Sequence, residues 1–172
     1  PSDLILKGSK TTNLRQIIER RGVNSRDIRA REIKGEDFDD DKVELVVREY
    51  RANEGNEYFI TYEATDIDKL IGLVRLRLPD QCIDFIPELK DCALIRELHV
   101  YGTQKTLDKD KENSLKSKTQ HKGYGRRLMQ AAEDIAKEQG WAKIAVISAV
   151  GTREYYKKIG YTQQGTYMVK EL

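Results

Sequence analysis

The chain has 172 residues, of which 38% are apolar and 35% charged, with nine Tyr, three Phe and one Trp. This length suits one domain, and the core-forming content excludes a disordered chain. No apolar run approaches the ~18 residues of a membrane-spanning helix, and no secretory signal opens the chain, so no membrane partner is expected. The net charge of +2 excludes a uniformly basic nucleic-acid coat. Cys82 and Cys92 cannot build a disulfide scaffold, and with His99 and His121 they are too few for a metal cage. No metal is expected, and a reducing, cytoplasmic setting is the default.

The near-neutral total hides blocks. Residues 1–34 carry nine Lys or Arg against four Asp or Glu, residues 36–44 hold six acids and one base, and residues 105–127 hold eight bases and three acids. Such runs are commonly solvated faces, yet two basic blocks also suit an anionic partner, whether RNA or a phosphorylated cofactor.

In chain order, Pro-Ser-Asp without an initiator Met reads as a fragment boundary. Thr12 or Asn13 can cap a helix that docks Leu14, Ile17 and Ile18 and ends at Gly22. Residues 25–33 alternate charged and aliphatic side chains, which predicts a short strand or extended arm; the acidic stretch 36–41 is a loop. Four strands are predicted at 43–51, 57–63, 69–78 and 93–101, with turns at 53–56 and 65–68. In the third, Val74, Leu76 and Leu78 alternate with Arg75 and Arg77, the period of a half-buried strand. Residues 102–119 hold only Leu107 and Leu115 among polar groups and predict a mobile loop. A helix follows over 123–139, with Leu128, Met129, Ala132, Ile135 and Ala136 on one face and Gly140 as its stop. A buried strand at 143–148, a short helix at 152–159 closed by Gly160, and one or two short strands over 161–170 complete the chain. The strand–helix–strand unit at 93–148 should place its two strands parallel.

Chemistry concentrates in two segments. Gln120-His121-Lys122-Gly123-Tyr124-Gly125-Arg126-Arg127 lies between a strand and a helix. Glycines there let backbone N–H groups approach a phosphate, and the helix start, Lys122, Arg126 and Arg127 add positive charge. A plain glycine-rich turn would explain the pair without any ligand. The segment is neither a Walker loop nor a dinucleotide fingerprint, since Leu128 stands where a third glycine would fall. The second segment is Tyr155-Tyr156-Lys157-Lys158-Ile159-Gly160-Tyr161. Neighbouring tyrosines on a helix diverge by ~100°, so one can pack while the other offers its hydroxyl to a cleft; packing of both is the bland alternative.

A strand, then Gln-x-x-Gly-x-Gly opening a helix, then a strand, then Tyr-Tyr-x-x-x-Gly-Tyr resembles the GNAT acetyltransferase superfamily. The strings Arg96-Glu97-Leu98-His99-Val100-Tyr101-Gly102, Lys143-Ile144-Ala145-Val146-Ile147-Ser148, Gly151-Thr152-Arg153-Glu154-Tyr155-Tyr156 and Tyr167-Met168-Val169-Lys170 extend the likeness. Together with residues 25–32 and 70–77 they closely resemble the C-terminal acetyltransferase-like domain of the catalytic subunit of Elongator, including its archaeal and bacterial stand-alone forms. The likeness covers nearly the whole chain.

The resemblance implies an α/β (α+β) fold, a GNAT-like mixed, mostly antiparallel central sheet flanked by helices. It divides the chain into a basic linker helix and arm at 1–41 and an acetyl-CoA-binding domain at 42–172. That family carboxymethylates the wobble uridine of tRNA with acetyl-CoA as carbon source. It does so together with an upstream radical-SAM domain that holds S-adenosylmethionine and a [4Fe-4S] cluster, and whose cysteine triplet this chain lacks. Carried over by position, Glu97, Leu98, His99 and Val100 lie beside the acetyl and pantetheine groups. Tyr124, Gly125 and Arg126 match the phosphate turn, and Tyr156 the tyrosine over the thioester; Tyr156 and His99 are the catalytic candidates. Arg15, Arg20, Arg21, Arg26, Arg29 and Arg31 are candidate tRNA contacts. Two other functions fit the same residues: a protein lysine N-acetyltransferase, and a non-catalytic RNA-binding module that senses acetyl-CoA.

Overall fold

The computed structural model describes residues 21–22, 27–34, 36–81, 83, 85–101 and 123–172. The chain divides into two compact units, Pro1–Glu32 and Ile33–Leu172. In the first, residues 28–31 correct the expected strand or arm over 25–33: they form a single helical turn, α1 (Ile28–Arg31), with the amides of Ala30 and Arg31 donating to the Asp27 carbonyl at 3.0 and 3.2 Å. Alternation over so few residues does not separate the two periods, and Arg and Ala favour the helix intrinsically. The expected helix before Gly22 and the expected loop at 102–119 lie outside the described residues, Arg21 and Gly22 apart.

The second unit is built on a sheet of seven strands among the described residues: β1 (Val43–Arg51), β2 (Gly55–Ala64), β3 (Lys69–Pro79), β4 (Cys92–Val100), β5 (Lys143–Ile147), β6 (Thr162–Gln164) and β7 (Tyr167–Glu171). Their order is β1-β2-β3-β4-β5-β7-β6, antiparallel throughout except for β4 beside β5. The parallel pair is the one that the sequence pattern predicts, because the helix between them carries the chain back across the sheet so that both strands run the same way. This helix is α2 (Tyr124–Glu138); a second, α3 (Arg153–Lys158), follows β5. The turn expected at 53–56 is tighter: Asn53 and Glu54, at φ 44° and 55°, make a two-residue hairpin loop, and Gly55 already belongs to β2.

The core lies between α2 and one face of the sheet. Leu128, Met129, Ala132 and Ala136 are buried against Tyr58, Ile60, Tyr62, Val74, Leu76 and Ile95. Burying each large apolar side chain contributes about 1.5–3 kcal/mol, so this layer holds the unit together. A smaller cluster on the other face joins Leu89, Cys92, Ala145 and Val169 beneath the β3–β4 connection. Elsewhere that face holds buried ion pairs and hydrogen bonds among apolar neighbours such as Leu73. Glu57 is buried and takes Arg77 Nη1 at 3.1 Å and Arg96 Nη1 at 3.2 Å, while Glu63 takes Arg48 Nη1 and the Thr61 hydroxyl, each at 2.6 Å. These groups alternate with core residues along β2, as a period of two requires. No helix among the described residues is long and apolar enough to cross a membrane.

Candidate functional site

The site starts from a defect in strand pairing. β3 pairs Arg75 with Glu97 but Leu76 with Ile95, so Arg96 is an extra residue in β4. Such a bulge bends its strand and raises the local twist. β4 accordingly pairs with β5 only over residues 92–95, against residues 143–146. Beyond the bulge, residues 97–100 stay on β3 and have no strand on the β5 side among the described residues. The backbone there faces an opening with its N–H and C=O groups available to an extended, amide-bearing ligand.

The start of α2 closes one end of this opening. Gly123 precedes the helix at φ 68°, ψ 23°, a left-handed conformation that glycine adopts without cost. Gly125 is the point of close approach. A Cβ there would sit 3.0 Å from the Tyr155 hydroxyl and 3.5 Å from Val100 Cγ2. The end of β4, the first turn of α2 and the first turns of α3 therefore converge on one residue. The first amides of α2 have no helical acceptor, and Arg126 and Arg127 are exposed beside them. The Arg127 guanidinium lies 4.5 Å from the ring centre of Tyr62 and 5.2 Å from that of Tyr124, two rings that themselves pack at 5.0 Å. Aromatic faces fix this charge without neutralising it. Tyr124, carried over as a ligand contact, is a buried core ring; its backbone, not its phenol, belongs to the turn.

The two adjacent tyrosines divide as the 100° rule requires. Tyr156 is buried, with its ring edge-on to Tyr155 at 5.2 Å and to Tyr161 at 5.8 Å. Its hydroxyl makes no hydrogen bond among the described residues. Tyr155 is half-buried and aims its hydroxyl at Gly125, and that oxygen is shielded from water with no hydrogen-bond partner among the described residues. The spacing points to Tyr156; Tyr155 is the additional hydroxyl that packs on Gly125, and only the divergence of neighbours hints at it. Burial pushes the Tyr155 phenol up to about 12, with the fields of Tyr156 and Glu133 adding to the rise and Arg126 opposing it. Burial raises Tyr156 as well. Both hydroxyls are therefore protonated donors at neutral pH.

A raised tyrosine pKa means that the folded state keeps a proton that the unfolded chain has lost. Stability from Tyr155 is thus fully present below about pH 10 and declines as pH rises toward about 12. Tyr155→Phe should flatten the fall of melting temperature between those pH values, with no loss of stability at pH 7, because it deletes an unpartnered buried oxygen. Thermal melts across pH 7–12 check this; a variant as alkali-sensitive as the parent refutes it.

The remaining candidates are more scattered. Leu98 and Val100 are half-buried and pack on the main core, whereas Glu97 is half-buried with no ion pair among the described residues. His99 is exposed and stacks on Tyr101 at 6.3 Å. Of the arginines nominated for tRNA, Arg15, Arg20 and Arg26 lie outside the described residues, as do Gln120, His121 and Lys122. Arg21 and Arg29 are exposed and Arg31 is buried.

Comparison with known proteins places this geometry. The acetyltransferase (GNAT) family model matches residues 26–161. Elongator complex protein 3 of Homo sapiens is 45% identical over 184 residues, covering 100% of this chain and 32% of that protein. The tRNA uridine(34) acetyltransferase of Methanocaldococcus infernus is 43% identical over 185 residues, again 100% of this chain and 34% of the relative. The solved structure of an N-terminally truncated archaeal Elp3 from Methanocaldococcus infernus superposes with a TM-score of 0.76 at 43% identity, covering 91% of this chain and 38% of that one. The chain thus spans about a third of the length of the curated relatives it matches. A family model matched across most of its residues, on a sheet that splays at β4 and β5, makes this chain a member of the GNAT acetyltransferase family.

Proposed function

We propose that residues 42–172 form the acetyl-CoA-binding acyltransferase domain of a tRNA-modifying enzyme, with residues 1–41 as its basic linker. The activity is the carboxymethylation of the wobble uridine together with a radical-SAM domain outside this chain. The observation that carries the reading is the unpaired β5 side of residues 97–100 ending at the Gly125 turn. The names of relatives such as the tRNA uridine(34) acetyltransferase of Methanocaldococcus infernus support the RNA part.

The residues present fit acetyl-CoA. Backbone groups of Glu97, Leu98, His99 and Val100 can pair with the pantetheine amides as a substitute strand would. The side-chain-free backbone at Gly123 and Gly125, the first amides of α2, which lack a helical acceptor, and Arg126 suit a pyrophosphate. When bound, the cofactor supplies an activated acetyl thioester. Tyr155 and Tyr156, held protonated by burial, can donate to a thioester oxygen or sulfur. His99, exposed on β4, is the proton-accepting candidate. S-adenosylmethionine and the [4Fe-4S] cluster belong to the radical-SAM domain, and no residue here is assigned to them. The arginine-rich arm contributes phosphate contacts.

The test follows free CoA release from acetyl-CoA with the chain alone, with tRNA, and with a lysine peptide. Release stimulated by tRNA and not by the peptide is expected. Stimulation by the peptide alone would make the domain a lysine acetyltransferase. Binding without release under every condition would make it a sensor.

A further inference from the structure

The sheet has two edges among the described residues, and they differ. β6, at one end, has three residues and is too short to template another strand. β1, at the other, runs for nine residues in unbroken antiparallel register with β2. Pro, Lys and bulges are the usual devices that blunt an edge, and β1 contains none of them.

The hydrogen bonds of β1 sort its backbone groups. The Ala52 amide donates to the Gly55 carbonyl at 3.0 Å, and the Thr65 amide to the Lys42 carbonyl at 3.1 Å. With the β1–β2 register, these fix the alternation. Even-numbered residues of β1 bond to β2, whereas Val43, Leu45, Val47, Glu49 and Arg51 direct their N–H and C=O groups outward. No strand among the described residues takes them up. Leu45 and Val47, opposite Tyr62 and Ile60, extend the α2 side of the core yet stay 44% and 45% exposed. An apolar edge with a row of outward backbone groups fits one more strand.

The side chains of β1 select that strand. A second β1 can lie antiparallel to the first about a two-fold axis normal to the sheet. Centred on Val46, this pairing sets Leu45 against Val47 of the second copy, twice, on the α2 side, and Glu44 against Arg48, twice, on the other. Centred on Val47 it would set Leu45 against Glu49; centred on Leu45, Lys42 against Arg48; centred on Arg48, the two arginines against each other. Among these registers only the first joins apolar pairs with opposite charges, the combinations that stabilise a sheet. The edge is thus self-complementary, as an isologous contact requires.

We propose that β1 pairs with β1 of a second copy of this chain, centred on Val46, so that two sheets run as one. The contact is independent of acetyl-CoA and RNA, because β2 and β3 separate β1 from the opening at residues 97–100. A pairing this small lies at the low end of specific interfaces, so the dimer should be populated at roughly 100 µM but not at ~1 µM.

Sedimentation of the full 172-residue chain across that range tests it. Leu45→Lys with Val47→Lys should raise the dimer dissociation constant at least ~tenfold. The same variant should melt as the parent does in dilute solution, because both positions are exposed. Register is read by Val46→Cys. Residue 46 would face its own copy in a pair without mutual hydrogen bonds, its Cα atoms ~4.5 Å apart and within disulfide reach. Oxidation should therefore give a covalent dimer that the parent and Leu45→Cys do not form. A parent that is monomeric at every concentration overturns the proposal and leaves the edge to a different protein. A monomeric parent whose double Lys variant melts lower overturns it by assigning the edge to a segment of the same chain. Dimers that survive the two lysines overturn it too, by placing the contact elsewhere.

Discussion

Gly125→Asp is expected to abolish the stabilisation that acetyl-CoA gives the parent chain. A ligand at a hundredfold excess over its Kd stabilises by about 2.7 kcal/mol, and all of that should disappear from the melting curve. The substitution acts twice. Its Cβ would meet the Tyr155 hydroxyl at 3.0 Å and Val100 Cγ2 at 3.5 Å, filling the space at the turn. Its carboxylate would then stand where the proposed site receives the pyrophosphate. The variant should nevertheless fold, because residue 125 lies in the first turn of α2, where a negative side chain complements the helix dipole and where Asp is no worse than Gly in propensity. Gly125→Ala, with one methyl and no charge, should lose only part of the effect. Acetyl-CoA titrations read by thermal melts distinguish these outcomes, and full stabilisation of a folded Gly125→Asp protein would remove the Gly125 turn from the cofactor site.

The largest stability effect is expected at Glu133, which lies away from the ligand. This carboxylate is buried on the sheet side of α2, where Oε1 accepts from the Tyr161 hydroxyl at 2.9 Å and Oε2 from Lys170 Nζ at 2.6 Å. It thereby ties α2 to β7 and to Tyr161, the residue just before β6. Burial, reinforced by the nearby Glu133 charge and hydrogen bond, holds the Tyr161 phenol well above its ordinary pKa, so Tyr161 stays a donor throughout the stable range. Removing one partner of a buried pair leaves the other uncompensated, at about 3–5 kcal/mol. Glu133→Ala should lie near the lower end of that range, because the Lys170 side chain retains 26% exposure. Replacing both charges, as Glu133→Leu with Lys170→Met, should recover most of the loss, since well-packed apolar groups often substitute for buried ion pairs without cost. Urea unfolding measures both; a loss below 1 kcal/mol for Glu133→Ala would mean that the pair is not isolated from water.

The Tyr161–Glu133 contact also shows how a structural group can reach the site. Tyr161 packs on Tyr156 and Tyr156 on Tyr155, so the carboxylate on α2 supports the ring stack that aims a hydroxyl at Gly125. None of this coupling is visible from residue spacing, since Glu133 and Tyr161 are 28 positions apart.

What the sequence determined by itself is the part of the fold encoded locally. Alternation in β3, the apolar stripe from Leu128 to Ala136 and glycine punctuation at Gly123, Gly140 and Gly160 specify elements because each depends on neighbours within a few residues. The Gly-x-Gly turn and the paired tyrosines were legible for the same reason, and the resemblance joined them into one family. Tertiary structure alone decided the rest. The bulge at Arg96 is a mismatch between two strands, and no pattern within β4 announces it, yet it opens the sheet. The nearness of Gly125, Val100 and Tyr155 depends on how three elements pack, as does the lack of a partner at Ser148 Oγ and Arg153 Nε among the described residues. Residues 28–31 failed in the opposite sense: one helical turn and a short alternating strand carry too few side chains to distinguish a period of 3.6 from one of 2. Local periodicity sets which elements form, whereas burial, satisfied or unsatisfied, is a property of surfaces brought together from distant parts of the chain.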